Sequence, residues 1–169
     1  MLKIIRAAAI ATTFVAISAQ AQVYVEGNYV PTKITVGGES VKPHIFSGII
    51  GYDLHPNLSV EGMIGLGAKK ATIDGTDVKY KSAYGVYLKP RYQVSQDVEV
   101  FARIGYIKSK LELSDSTGTE SDSSSSAAWG VGGSYAIDKN LYLTAGYNQL
   151  YKKDGWKVTG FNFGVGYKF

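Results

Sequence analysis

Beyond residue 21 much of the chain runs with a period of two. Leu58, Val60, Gly62, Ile64 and Leu66 alternate with Ser59, Glu61, Met63 and Gly65. Val98, Val100, Ala102, Ile104 and Tyr106 alternate with Glu99, Phe101, Arg103 and Gly105. Leu141, Leu143, Ala145 and Tyr147 alternate with Tyr142, Thr144 and Gly146, and Phe161, Phe163, Val165, Tyr167 and Phe169 with Asn162, Gly164, Gly166 and Lys168. Residues two apart on a strand share a face, so each segment predicts a strand with one apolar, aromatic face and one polar, glycine-rich face.

The turns between these strands repeat. Gly51-Tyr52-Asp53-Leu54-His55-Pro56-Asn57-Leu58, Arg91-Tyr92-Gln93-Val94-Ser95-Gln96-Asp97-Val98 and Ser134-Tyr135-Ala136-Ile137-Asp138-Lys139-Asn140-Leu141 share one register. Each runs Tyr, a polar or small residue, an aliphatic, turn residues, then renewed alternation, as in tight hairpins. Gly166-Tyr167-Lys168-Phe169 is a fourth, partial copy. A period near forty residues also admits a propeller blade, but each interval holds two long strands and one polar loop. Three tight turns on one side, with both termini there too, predict eight strands near 22–31, 43–54, 57–68, 79–94, 97–110, 127–137, 140–151 and 157–169. An even strand number, with short turns at one end and longer loops at the other, is the layout of a membrane barrel.

The first 21 residues break the pattern. Lys3 and Arg6 precede a small and apolar run from Ala7 to Ile17, and Ala19-Gln20-Ala21 supplies an A-x-A cleavage site. These features predict a signal peptide over 1–21 and a barrel domain over 22–169; the apolar run is too short for a membrane helix. Cleavage leaves 148 residues with 16 cations and 14 acids, a formal charge of +2. No basic cluster with interleaved aromatics marks a nucleic-acid surface. Without cysteine there is no disulfide framework and no thiol chemistry. No apolar stretch after residue 21 is long enough to span as a helix, so a membrane protein here must be a closed barrel.

A soluble lipocalin-like barrel remains the alternative, with the apolar face turned inward. The aromatic residues gather at strand ends, as a membrane girdle does, and the glycines suit a crowded eight-strand interior; both favour the apolar face outward. The fold expected is therefore all-β: an eight-stranded antiparallel up-and-down transmembrane β-barrel. Its interior receives Glu61, Lys89, Arg91 and Arg103. Buried charges need partners, so Glu61 is expected to join a network with Arg91 or Arg103.

Taken together, the turn repeat, the aromatic C-terminus and the interior charges resemble the OmpA-like small outer-membrane barrels, including the opacity and neisserial surface protein A group. The resemblance covers residues 22–169 and is most specific in Val98-Glu99-Val100-Phe101-Ala102-Arg103-Ile104-Gly105-Tyr106, Gly133-Ser134-Tyr135-Ala136-Ile137 and Phe161–Phe169. It implies the bacterial outer membrane as location. It also implies contacts with outer-membrane lipid, periplasmic chaperones and the barrel assembly machinery, with Phe163, Tyr167 and Phe169 as the assembly signal. In OmpA members an interior Glu exchanges basic partners to gate a small pore. Glu61, Lys89 and Arg103 match that motif, while Ser134 and Thr144 stand where a second Glu and a gating Arg are expected.

Some eight-stranded barrels are lipid A-modifying enzymes that use His with Ser and an acid. His44 and Ser47 lie three apart and so on opposite strand faces, and His55 sits in a turn at the other end. No catalytic residue, metal site or cofactor is therefore assigned. The serine-rich segment from Leu111 to Ala127, with Asp115, Glu120 and Asp122, is expected to be a mobile extracellular loop. The resulting expectation is a non-enzymatic, monomeric, surface-displayed structural barrel. A narrow porin-like channel and an adhesin binding a surface ligand through its loops are the alternatives.

Overall fold

A computed structural model describes residues 23–36, 39–41, 44–67, 70–73, 76–115, 118–153 and 156–169. The predicted signal segment lies outside them. Eight long strands form the barrel: β1 (Val23–Val36), β2 (His44–His55), β3 (Leu58–Gly67), β4 (Thr76–Gln93), β5 (Val98–Asp115), β6 (Gly118–Ala136), β7 (Leu141–Lys153) and β8 (Trp156–Lys168). Each pairs antiparallel with its sequence neighbours, and β1 closes the ring against β8 from Tyr24↔Lys168 to Val36↔Trp156. Closure removes both sheet edges, so every strand has a partner on each side. Two short strands, Glu39–Val41 and Lys70–Ile73, add pairing at the end opposite the tight turns.

The turn repeat has a structural meaning. Three residues after each repeat tyrosine stands an acceptor that holds a backbone N–H of the turn. The Asn57 N–H donates to His55 Nδ1 at 3.3 Å, and the Val98 N–H to Ser95 Oγ at 3.2 Å. At the third turn both the Asn140 and Leu141 N–H groups donate to Asp138 Oδ1 at 2.8 Å. Side-chain acceptors of this kind satisfy donors that a tight turn leaves unpaired. The C-terminus joins the same rim, where the Phe169 N–H donates to the Val23 carbonyl at 3.0 Å.

The two faces sort as expected. Ile64, Leu66, Ile104, Leu143, Phe161, Phe163 and Val165 point outward and are exposed, whereas Glu61, Met63, Phe101, Arg103, Tyr142 and Asn162 are buried within the barrel. An apolar belt this large has no place in water. The lipocalin-like alternative, which would turn this face inward, is excluded.

One boundary needs correction. The segment expected as a mobile loop is mostly strand: β5 and β6 remain paired to Asp115↔Gly118, with Leu111↔Asp122 and Leu113↔Glu120 in register. Asp115 ends β5, and Glu120 and Asp122 lie within β6. The pairing continues because each backbone rung set by the barrel register positions the next.

Candidate functional site

The lumen is filled in three storeys. Nearest the tight turns lies a charge cluster built from five strands. Arg103 on β5 donates from Nε to Glu61 Oε2 at 2.6 Å, and from Nη2 to Glu61 Oε1 at 3.0 Å and to Glu26 Oε2 at 2.7 Å. Lys89 on β4 reaches Glu26 at 3.3 Å, Glu61 at 3.6 Å and Glu99 at 4.0 Å. Tyr24 donates to Glu61 at 2.6 Å and Tyr142 to Glu26 at 2.9 Å. The Phe101 ring carries Lys89 Nζ and Arg103 Cζ at 4.5 and 4.6 Å from its centroid. Each buried charge thus has opposite charges, hydroxyls or an aromatic face around it, the condition under which burial is tolerated.

Glycines shape this storey. A Cβ at Gly51 would fall inside the Tyr24 ring, and one at Gly166 inside the Tyr142 ring. Both phenols lie flat over a neighbouring strand's glycine, and from there their hydroxyls reach the carboxylates.

Above the charges an amide ladder runs along the inner wall over the adjacent strands β7, β8 and β1. Asn148 donates to Asn162 Oδ1 at 2.8 Å, Asn162 to Asn28 Oδ1 at 3.3 Å, and Asn28 to Glu26 Oε2 at 3.4 Å. The third storey is apolar: Val30, Ile45, Ile49, Met63, Ala83, Ile107, Ala128, Leu150 and Val158 pack together with Tyr87. A cavity between ladder and apolar layer has a volume of about 30 Å³, room for a few waters.

The expected network is present in Glu61, Lys89 and Arg103. Arg91 joins this network through Glu99, which also lies 4.0 Å from Lys89, and it is Arg103 that pairs with Glu61. Arg91 also pairs with Asp53 at 2.6 Å, lies 3.7 Å from Glu99 and donates to the Pro56 carbonyl, which ties it to the turn rim. Glu26 is the member sequence reasoning missed, though Tyr24-Val25-Glu26-Gly27-Asn28 alternates in the same way and carried the signal. Ser134 donates to Glu99 at 3.4 Å.

His44 and Ser47 part as expected. His44 faces outward, stacked on Tyr29 with its Nδ1 2.6 Å from the Tyr29 hydroxyl, while Ser47 lines the lumen cavity. Phe163, Tyr167 and Phe169 lie exposed on the outer wall. Among the described residues no group of three or more His, Cys, Asp or Glu side chains is placed to hold a metal.

Comparison with known proteins places this architecture. Residues 7–169 match the model of the outer membrane protein beta-barrel domain. The chain belongs to that family. The attachment invasion locus protein Ail of Yersinia pestis, solved in complex with the heparin analogue sucrose octasulfate, is similar at 22% identity and TM-score 0.70 over 89% of this chain and 100% of its own. Neisserial surface protein A is similar at 19% identity and TM-score 0.74, over 87% and 97% of the two chains. The N-terminal barrel domain of Pseudomonas aeruginosa OprF follows at 15% identity and TM-score 0.64, over 89% and 100%. At these identities the likeness is one of fold. No curated protein matches the chain at the same stringency.

Proposed function

We propose that this member of the family is a non-enzymatic barrel whose role in the outer membrane is structural and surface-displaying. The observation that carries the reading is the filled lumen. Among the described residues a charge cluster with every cation paired is stacked under an amide ladder and an apolar layer, and the cavity between these two is only about 30 Å³. Releasing Arg103 from Glu61 would loosen only the lowest storey, and an ion would still face the apolar one, where desolvation is costly. Planar-bilayer recordings test this. The protein and its Glu61→Gln and Arg103→Met variants are expected to give no ohmic conductance, and steady single-channel steps would instead establish a pore.

Ligand display is the second reading, favoured by the length of β5 and β6. Their hairpin stays paired to Asp115↔Gly118, far beyond the outward aromatic residues Tyr106 and Trp129. Such an extension can present a defined edge to a partner, and the similar Ail protein was solved with a heparin analogue. Deleting residues 115–126, which carry Asp115, Glu120 and Asp122 and no cation, is expected to abolish adhesion of cells displaying the barrel to a host-cell surface. Unchanged adhesion would leave display without a ligand.

A further inference from the structure

Among the described residues the outer wall carries a cluster of lysines with no ion-pair partner. On β7, β8 and β1 the outward side chains run from apolar to aromatic to polar to basic. Tyr147 and Phe161 stand edge to face, 5.3 Å between centroids, and Tyr29 continues the belt on β1. Gln149, Thr159 and Pro31 follow, then Lys152, Lys157 and Lys33, all three exposed. Lys157 is four residues beyond Phe161 and Lys33 four beyond Tyr29. At about 3.3 Å per residue and a tilt of about 45°, that sets the lysines roughly 9 Å above the aromatic belt, at headgroup depth.

The register makes this more than a scatter of snorkelling lysines. Lys157 pairs directly with Lys152 across the β7–β8 hairpin: Lys157 follows the outward alternation of Phe161 and Phe163, and a bulge opposite Val158/Thr159, where Leu150 has no partner, brings Lys152 to the same side. On its other side Lys157 pairs with Thr35, which makes Lys33 its diagonal neighbour, and Lys33 pairs with Thr159. Directly opposed side chains on a sheet stand about 5 Å apart and diagonal ones about 7–8 Å, and like charges so placed repel. Among the described residues no acidic side chain faces outward on these three strands, and none of the three lysines has an ion-pair partner. Next to the cluster and below it, a groove runs along the wall over Gly27 and Gly48, walled by Tyr29, Phe46, Leu66 and Phe163. Gly27 and Gly48 pair with each other, and a Cβ on either would meet nothing within 4 Å.

We propose that this face binds a phosphorylated lipid of the outer leaflet. Lys33, Lys152 and Lys157, with the Thr159 hydroxyl, hold the headgroup phosphate, and the Gly27–Gly48 groove seats an acyl chain. A phosphate supplies the anion that the opposed lysines lack, and the groove requires that this anion carry a chain.

The test uses the full barrel in nanodiscs of a zwitterionic phospholipid doped with bis-phosphorylated lipid A or its dephosphorylated form. Retained lipid is read by native mass spectrometry. The protein is expected to retain the phosphorylated lipid preferentially. Lys33→Gln/Lys152→Gln/Lys157→Gln is expected to lose that retention by about fivefold per lysine, about a hundredfold in all. Lys108→Gln, an exposed lysine on β5, is expected to change it little. Gly48→Leu keeps the lysines but fills the groove, and is expected to lower retention of both lipid forms. Heat-shifted gel migration checks that each variant is a folded barrel. Equal retention of the two forms, or undiminished retention by the triple variant, overturns the phosphate site. Displacement of the lipid by inorganic phosphate overturns the lipid as its occupant, and unchanged retention by Gly48→Leu overturns the chain seat.

Discussion

Replacing Arg103 with Met removes a guanidinium that makes three contacts of 2.6 to 3.0 Å with Glu61 and Glu26. The lumen then holds four carboxylates (Glu26, Asp53, Glu61 and Glu99) against Lys89 and Arg91, so its formal imbalance grows from one negative charge to two. Removing one partner of a buried pair costs about 3–5 kcal/mol, chiefly because the other charge is left without compensation. Glu61→Gln is milder. The amide keeps the shape and an acceptor for Tyr24 and Arg103, and the lumen becomes formally neutral. The cost is the difference between charged and neutral hydrogen bonds, about 1–2 kcal/mol. The double variant returns the imbalance to one negative charge, so it should be less destabilised than the two single costs together, by about 1–3 kcal/mol. Equilibrium urea unfolding in detergent micelles, with the folded fraction read by heat-shifted migration, measures all four corners of the cycle. Additivity within about 0.5 kcal/mol would refute a coupled network. So would an Arg103→Met cost below about 1 kcal/mol.

Two further predictions concern the frame around that network. Gly51→Ala drives a methyl into the Tyr24 ring and displaces the Tyr24–Glu61 bond, which should cost about 1–3 kcal/mol in the same unfolding assay, whereas Gly27→Ala on the open outer face should stay within about 0.5 kcal/mol. At the third turn, N–H donation from Leu141 and Asn140 holds the Asp138 carboxyl below its ordinary value of 3.8. A carboxyl lowered on folding contributes stability that is present above its unfolded value and is lost as pH falls through its folded one. Asp138→Ala should therefore be less stable at neutral pH, and its deficit should shrink in acid below 3.8; a deficit independent of pH would count against the charge.

Much of this barrel is decided by local chemistry, and so it was readable in the chain. The alternation of Leu58–Leu66 and Phe161–Phe169 assigns each side chain to lipid or lumen, because strand periodicity is two whatever the partner. The tyrosine repeats mark the tight turns because His55, Ser95 and Asp138 act within their own few residues. That Glu61, Lys89 and Arg103 share an interior follows from the same alternation. The partner of each charge was decided by tertiary structure. Arg91 lies one strand from Glu61 and meets Asp53 and Glu99 instead, while Glu26 reaches Arg103 from 77 positions away. Strand tilt and register set those meetings, and neither leaves a local trace. The paired extension of β5 and β6 was hidden for a related reason: alternation reports a boundary between lipid and lumen, and beyond the membrane that boundary ends. The opposition of Lys152 and Lys157 likewise depends on one bulge at Val158/Thr159, which turns a register into a charged surface.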